Sequence, residues 1–226
     1  MDKKGTLYVV ATPIGNLEDM TFRAVRIFKE VDYILCEDTR VTGVLLKHYG
    51  IETKMKRYDA HSSTKLQDEV LHDLAEGKHI ALCSDAGTPG ISDPGVHIVD
   101  RILTEKIDAP IVAVPGASSV TAAFSIAGIT GNQFSFMGFI PQKKGRQTFF
   151  ESLAMASVPV MFLESTHRIM KALKSLCEYC PTKTVVIARE LTKFHEEVVR
   201  GTPEEIVAYF TDNLQHQRGE FVVIVY

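Results

Sequence analysis

Three stretches of the chain place reactive residue types at spacings suited to holding and transforming a small ligand. The longest is Ser84-Asp85-Ala86-Gly87-Thr88-Pro89-Gly90-Ile91-Ser92-Asp93-Pro94-Gly95. Glycine and proline let a backbone approach a ligand closely and stay there. Asp85 alone reads as a turn cap. Two aspartates and serines in one such loop after an apolar run favour a binding role. The second stretch, Glu37-Asp38-Thr39-Arg40, also follows an apolar run. Acidic residues suit a helix N-terminus, whereas a cation there opposes the helix dipole, so Arg40 needs another reason. The third, Lys143-Lys144-Gly145-Arg146, is a basic loop that suits either solvent or a phosphate backbone.

Lesser candidates surround these. Glu164 and Arg168 stand four apart, a spacing for a local ion pair or for residues lining a cleft. His61 is a lone loop histidine with the chemistry of a general base. Cys177-x-x-Cys180 has no second ligand pair and reads as a helix end before Pro181. No group of His, Cys, Asp and Glu has metal-ligand spacing, so no metal is expected. There is no G-x-G-x-x-G after the first strand and no G-x-x-x-x-G-K-[ST] anywhere, which removes a standard dinucleotide fold and a P-loop.

The elements that must position these residues alternate regularly. Apolar runs at 7–11, 33–36, 54–58, 79–83 and 111–114 read as strands, with helical patterns between them. Phe22, Val25, Ile27 and Phe28 are the expected inward face of the first helix. Such alternation predicts a mostly parallel sheet covered by helices. The loops after its strands then gather on one edge: 12–15, 37–40, 85–94 and 115–119. Ligands bind at that edge in open α/β sheets. After Gly128 the rhythm changes. Strands are expected at 134–139, 158–163, 184–188, 194–200 and 221–225, some adjacent without a helix between, which predicts a mixed sheet. The expected division is a first α/β domain over 1–116 and a second over 117–226.

With 226 residues, either one large domain or two small ones can bury a core. The net charge of −3 excludes a general nucleic-acid coat but leaves room for a local basic patch. Four cysteines are too few for a disulfide scaffold, and Cys36 and Cys83, ending apolar runs, are expected to be buried thiols. No apolar run approaches the roughly 20 residues of a membrane span. The first strand follows a short start without a leader, so a cytoplasmic protein without membrane contact is expected.

Longer blocks carry a resemblance. Val10-Ala11-Thr12-Pro13-Ile14-Gly15-Asn16-Leu17, Cys36-Glu37-Asp38-Thr39-Arg40, the Ser84–Gly95 loop, Glu164-Ser165-Thr166-His167-Arg168 and Ala188-Arg189-Glu190-Leu191-Thr192-Lys193 occur in this order. Together they resemble the small-subunit ribosomal RNA methyltransferase I branch of the tetrapyrrole methylase superfamily. The resemblance implies two α/β domains with S-adenosylmethionine between them. It also implies methyl transfer to the ribose 2′-hydroxyl of a cytidine in the decoding region of small-subunit ribosomal RNA, as free RNA or in the assembled subunit. A homodimer is expected as well.

By the same resemblance, Pro13, Ile14 and Gly15 match a first cofactor loop. Asp85, Ala86, Gly87 and Thr88, with Ile91 and Ser92, match a second, and Ser118 and Ser119 a third. Leu163 and Ala188 match second-domain cofactor contacts. Glu37, Asp38 and Arg40 are then expected to face the acceptor ribose and phosphate, and Lys143, Lys144 and Arg146 to grip RNA. The chain departs from the pattern in three places. Pro115-Gly116-Ala117 lacks a second proline, and His61-Ser62-Ser63 stands where His-Asn-Glu is common. The sequence stops at Tyr226 without the extra segment of longer members, and if that segment helps hold RNA, this chain is expected to do so otherwise. Two rivals remain at this stage: a tetrapyrrole or other small-substrate methylase of the same fold, and a non-catalytic nucleotide-binding module.

Overall fold

The computed structural model describes residues 4–59, 62–92 and 96–226. His61 and Asp93–Gly95 lie outside the described residues. The chain forms two compact units, the first ending at Ser118 and the second beginning at Ser119, two residues later than the expected 116/117 division.

The first unit holds strands β1 (Thr6–Val10), β2 (Tyr33–Cys36), β3 (Met55–Arg57), β4 (His79–Cys83) and β5 (Ile111–Val114). Its helices are α1 (Phe22–Glu30), α2 (Thr39–His48), α3 (Thr64–Ala75) and α4 (Val96–Thr104). The sheet order is β3-β2-β4-β1-β5 and every pairing is parallel. Strand residues alternate between two apolar layers. Ile34, Cys36, Ala81 and Cys83 pack under α1 and α2, with Ala24, Ile27, Phe28, Leu45 and Leu46. Leu7, Leu35, Ile80 and Leu82 pack under α3 and α4, with Val70, Leu71, Leu74, Ile98 and Ile102. The helices leaving β1 and β2 thus cover one face and those leaving β3 and β4 the other. The chain turns to opposite faces as it leaves β1 and its neighbour β4. That is a topological switch point, where a crevice opens at the carboxyl ends of the strands.

The first helix corrects one expectation. Thr21 caps α1 by accepting from the Ala24 amide at 3.1 Å, and the inward stripe runs Ala24, Ile27, Phe28. Phe22 stands about 200° around the helix from Ala24, given 100° per residue. It is therefore exposed. Beneath α3, the buried Asp73 carboxylate accepts from Tyr33 Oη at 2.9 Å and from Lys78 Nζ at 2.6 Å.

The second unit holds α5 (Ser119–Ile126), β6 (Ser135–Phe139), α6 (Arg146–Met155), β7 (Val160–Ser165), α7 (Ile169–Tyr179), β8 (Val185–Arg189), β9 (Glu197–Gly201), α8 (Pro203–Asp212) and β10 (Glu220–Val225). Its sheet, ordered β6-β7-β10-β8-β9, is mixed. Only β6 and β7 are parallel, joined through α6, and the other pairings are antiparallel. Helices α6, α7 and α8 bury Phe149, Phe150, Leu173, Leu176, Ile206 and Phe210 against one face. Helix α5 contacts β10.

Several strand limits move from the expected ones, and two of the shifts have a clear cause. Strand β7 runs on through Glu164 and Ser165, because both keep pairing with β10. Strand β9 starts only at Glu197. Before it, Glu190 and Thr192 adopt left-handed backbone at φ of 50° and 65°, which breaks the ladder into a turn.

Candidate functional site

The site is assembled at the carboxyl edge of the parallel sheet, mostly by backbone. Beyond β1, Thr12 pairs with Gly87 beyond β4, each amide donating to the other's carbonyl at 2.9 and 3.0 Å. Thr12 Oγ1 also donates to the Ser84 carbonyl at 3.2 Å. The acidic glycine loop is therefore pinned across the switch point. Gly87 has φ of 83°, and a Cβ there would stand 3.3 Å from Ile14 Cγ2. Glycine is required both for the turn and for the close pass of the Ile14 loop.

The remaining loops are tied in by single bonds. Thr88 Oγ1 donates to the Ala117 carbonyl at 3.1 Å, joining the loop after β5. Gly116 lets that loop approach β1 closely, since a Cβ there would be 3.0 Å from Ala11 Cβ. Asp85 Oδ1 accepts from the Asp38 amide at 3.0 Å, joining the loop after β2. The structure thus brings together Ile14, Asp85, Gly87, Thr88 and Asp38. Ile91 and Ser92 lie on the exposed outer part of the same loop.

In the acidic stretch, Asp38 is the N-cap of α2 and accepts from the Arg40 amide at 2.8 Å. Arg40 folds back on the same carboxylate, with Nη2 2.5 Å from Oδ2, and its side chain is 89% exposed. The Arg40 guanidinium and amide hold the Asp38 carboxyl well below the usual carboxylate range. Arg40 finds in Asp38 the local partner that its place at a helix start requires. Just before these two loops, Cys36 and Cys83 are register partners on β2 and β4. Burial pushes both thiols up.

In the second unit, Leu163 and Ala188 both pair with Val222 of β10, one from each side, so the two form one row across the sheet. Ser119 is the first residue of α5. Lys143 and Lys144 are exposed. Arg146 is committed elsewhere. Its Nη2 reaches the Lys171 carbonyl and Ser175 Oγ of α7, both at 3.3 Å, and its guanidinium lies over the Phe150 ring. Glu164 and Arg168 do form the local ion pair, at 2.8 Å, with the Glu164 side chain fully buried. Sequence reasoning passed over Thr12 and Ala117 as site residues, because they act chiefly through carbonyls and amides that every residue has. The only signal was a threonine before the Pro13 turn. Among the described residues no group of three or more His, Cys, Asp or Glu is placed to hold a metal ion.

The sequence profile of the tetrapyrrole (corrin/porphyrin) methylases matches residues 6–207. The chain belongs to the tetrapyrrole methylase family. Within that family it is similar to the ribosomal RNA small subunit methyltransferase I of Halalkalibacterium halodurans, 44% identical over 99% of this chain and 76% of the relative. The Thermotoga maritima protein of the same name is 41% identical over 98% of both chains. Solved structures agree on the fold. Diphthine synthase superposes with a TM-score of 0.73 at 13% identity, over 98% of this chain and 89% of that one. A uroporphyrin-III C-methyltransferase from Thermus thermophilus, complexed with S-adenosyl homocysteine, gives 0.64 at 18%, over 97% of both.

A tetrapyrrole methylase uses S-adenosylmethionine, and the Gly87 loop fits such a group. Its backbone is kept free of side-chain bulk and is tied to three neighbouring loops. It carries no lysine or arginine.

Proposed function

We propose that this chain transfers a methyl group from S-adenosylmethionine to the ribose 2′-hydroxyl of a cytidine in the decoding region of small-subunit ribosomal RNA. The observation that carries the reading is identity of 41–44% along almost the whole chain to proteins named ribosomal RNA small subunit methyltransferase I, from organisms as distant as Halalkalibacterium and Thermotoga. The basic pair Lys143 and Lys144 and the charged Glu37–Arg40 block support an RNA acceptor over a small neutral one.

When bound, S-adenosylmethionine supplies an electrophilic methyl group on a sulfonium. Everything else falls to the protein. Pro13, Ile14, Gly15, Asp85, Ala86, Gly87, Thr88, Ile91, Ser92, Ser118 and Ser119, with Leu163 and Ala188, hold the cofactor. In an in-line transfer, much of the rate comes from holding donor and acceptor in a near-attack arrangement. The Asp38 amide to Asp85 bond serves this, because it fixes the acceptor-side loop to the cofactor-side loop. Glu37 and Asp38 offer carboxylates toward the acceptor, where a hydroxyl must lose its proton. Arg40 holds the Asp38 carboxyl below its ordinary range, so the group stays ionised into acid. Lys143 and Lys144 contact phosphates. Arg146, bonded to α7, shapes the loop that carries them. A homodimer belongs to the same reading on the strength of the resemblance, and a cytoplasmic place follows from a ribosomal substrate. Light scattering checks the dimer.

The test is incubation with labelled S-adenosylmethionine and small ribosomal subunits, or their naked RNA, from a strain lacking this protein. Label in one cytidine ribose is the expected result. Label in a tetrapyrrole, or binding without transfer, would instead favour the rival readings.

A further inference from the structure

One assembly in the second unit is made of residues outside the set proposed to hold the cofactor. It lies where the parallel strands β6 and β7 end side by side. Strand β6 carries a bulge: Phe136 pairs with Met161 and Phe139 with Leu163, so one strand advances three residues and the other two. Gly138, at φ of 63°, makes the bulge possible. Bulges re-aim side chains and recur near functional sites. Here the outcome is a phenyl ring that is 52% exposed on an edge strand.

That ring is not alone. The Arg168 guanidinium sits over it at 5.9 Å from the ring centre. Arg168 is held from three other sides. Its Nε lies 2.8 Å from Glu164 Oε1 and 3.3 Å from Ser165 Oγ, and Nη1 donates to the Ile140 carbonyl at 3.3 Å. Glu164 Oε1 is fixed in turn by the Ser165 amide at 2.8 Å. Burying a carboxylate is costly unless its pairing is good and further hydrogen bonds satisfy its remaining lone pairs. Glu164 nevertheless has a fully buried side chain, and among the described residues its Oε2 has no hydrogen-bond partner. Such an ion pair is an expensive way to close a turn that the Arg168 amide already closes by donating to the Ser165 carbonyl at 3.0 Å. It does keep a planar cation rigid, with 26% of the Arg168 side chain open to solvent. Four and five residues past Phe139 come the exposed Lys143 and Lys144.

We infer that Phe139 and Arg168 form a preset platform on which one unpaired base of the RNA substrate stacks, with Glu164 as the positioning residue that holds Arg168. The inference rests on the proposed RNA substrate. Sequence-tolerant recognition of single-stranded RNA combines exposed aromatic and guanidinium planes with nearby cations that follow the backbone. This end of the sheet has all three. The platform would seat one unpaired nucleotide of the substrate, and the charge of Lys143 and Lys144 would take the adjoining phosphates.

Steady-state methylation of small subunits by the wild type, F139A, F139L and F139W tests it. Stability in urea and affinity for S-adenosylmethionine should match the wild type in all three, since the ring is exposed and lies outside the cofactor loops. Stacking on one base is worth a factor of about ten or more in affinity. F139A and F139L should therefore raise KM for the subunit about tenfold with kcat little changed, while F139W keeps KM near the wild type. E164Q, which keeps the shape and removes the charge, should also raise KM. An F139A enzyme with unaltered KM, or F139L performing as well as F139W, overturns the platform and leaves the RNA reading standing. A wild type that labels a tetrapyrrole and no RNA overturns both.

Discussion

Gly87 shows how much a single residue decides at this site. Its backbone is left-handed, and a methyl group there would stand a tight 3.3 Å from Ile14 Cγ2. Alanine costs about 1–2 kcal/mol for the backbone alone. Because the same residue forms the bridge to Thr12, the strain falls on the cofactor loop. G87A should weaken S-adenosylmethionine binding about tenfold or more, measured by calorimetry, while the far-ultraviolet dichroism stays as it is. A second residue-scale prediction concerns Tyr33 and Asp73. Burial alone would raise the Asp73 carboxyl, but donation from Lys78 and Tyr33 brings it below its ordinary value. Burial, and then the bond to Asp73, push the Tyr33 phenol up. The Asp73 contribution to stability is thus present at neutral pH and lost as pH falls below about 4. The Tyr33 contribution is complete below pH of about 10 and lost as pH rises beyond it. In urea unfolding across pH, D73N should flatten the acid limb and Y33F the alkaline limb. D73N should also cost about 1–3 kcal/mol at pH 7, because it removes the charge from a buried hydrogen-bonded site.

At the scale of elements, the helix starts are the most sharply written. Thr202 accepts from the Glu205 amide at 3.3 Å, Glu205 returns to the Thr202 amide at 2.7 Å, and Pro203 stands at the first helical position of α8. T202A should lower stability by about 1 kcal/mol, read as a shift of the denaturant midpoint with unchanged slope. These signals, and the apolar runs of β2, β4 and β5, are local, which is why the sequence predicts their limits closely. What it misses depends on partners. Strand β7 extends through Glu164 because β10 is there to pair with it, and β9 begins late because a turn from Glu190 to Glu196 intervenes. Phe22 is as apolar as Phe28, and only the phase fixed by the Thr21 cap sends it outward.

At the scale of the whole molecule, the rhythm of strands and helices predicts both sheets, and the loop composition picks out the edge where the structure ties the loops together. The chemistry of the edge is less legible. Asp85 and Gly87 stand out by type, yet their stitches to Asp38 and Thr12 run through backbone amides that no residue type announces. Arg146 looks like its lysine neighbours and is claimed by α7.

The paired thiols of Cys36 and Cys83 add a use that chemistry rarely grants for free. They lie against each other under the ends of β2 and β4, directly before the two loops tied by Asp85. Only the thiolate reacts with disulfide reagents, and burial suppresses it at both. The half-buried Cys177 should react first. Labelling of Cys36 and Cys83 then proceeds only when the sheet edge opens, so its rate clocks that opening. A ligand that binds the closed edge slows the clock in proportion to its occupancy. Mass-resolved labelling with and without S-adenosylmethionine should show protection confined to these two cysteines, and equal rates would mean that the cofactor binds elsewhere.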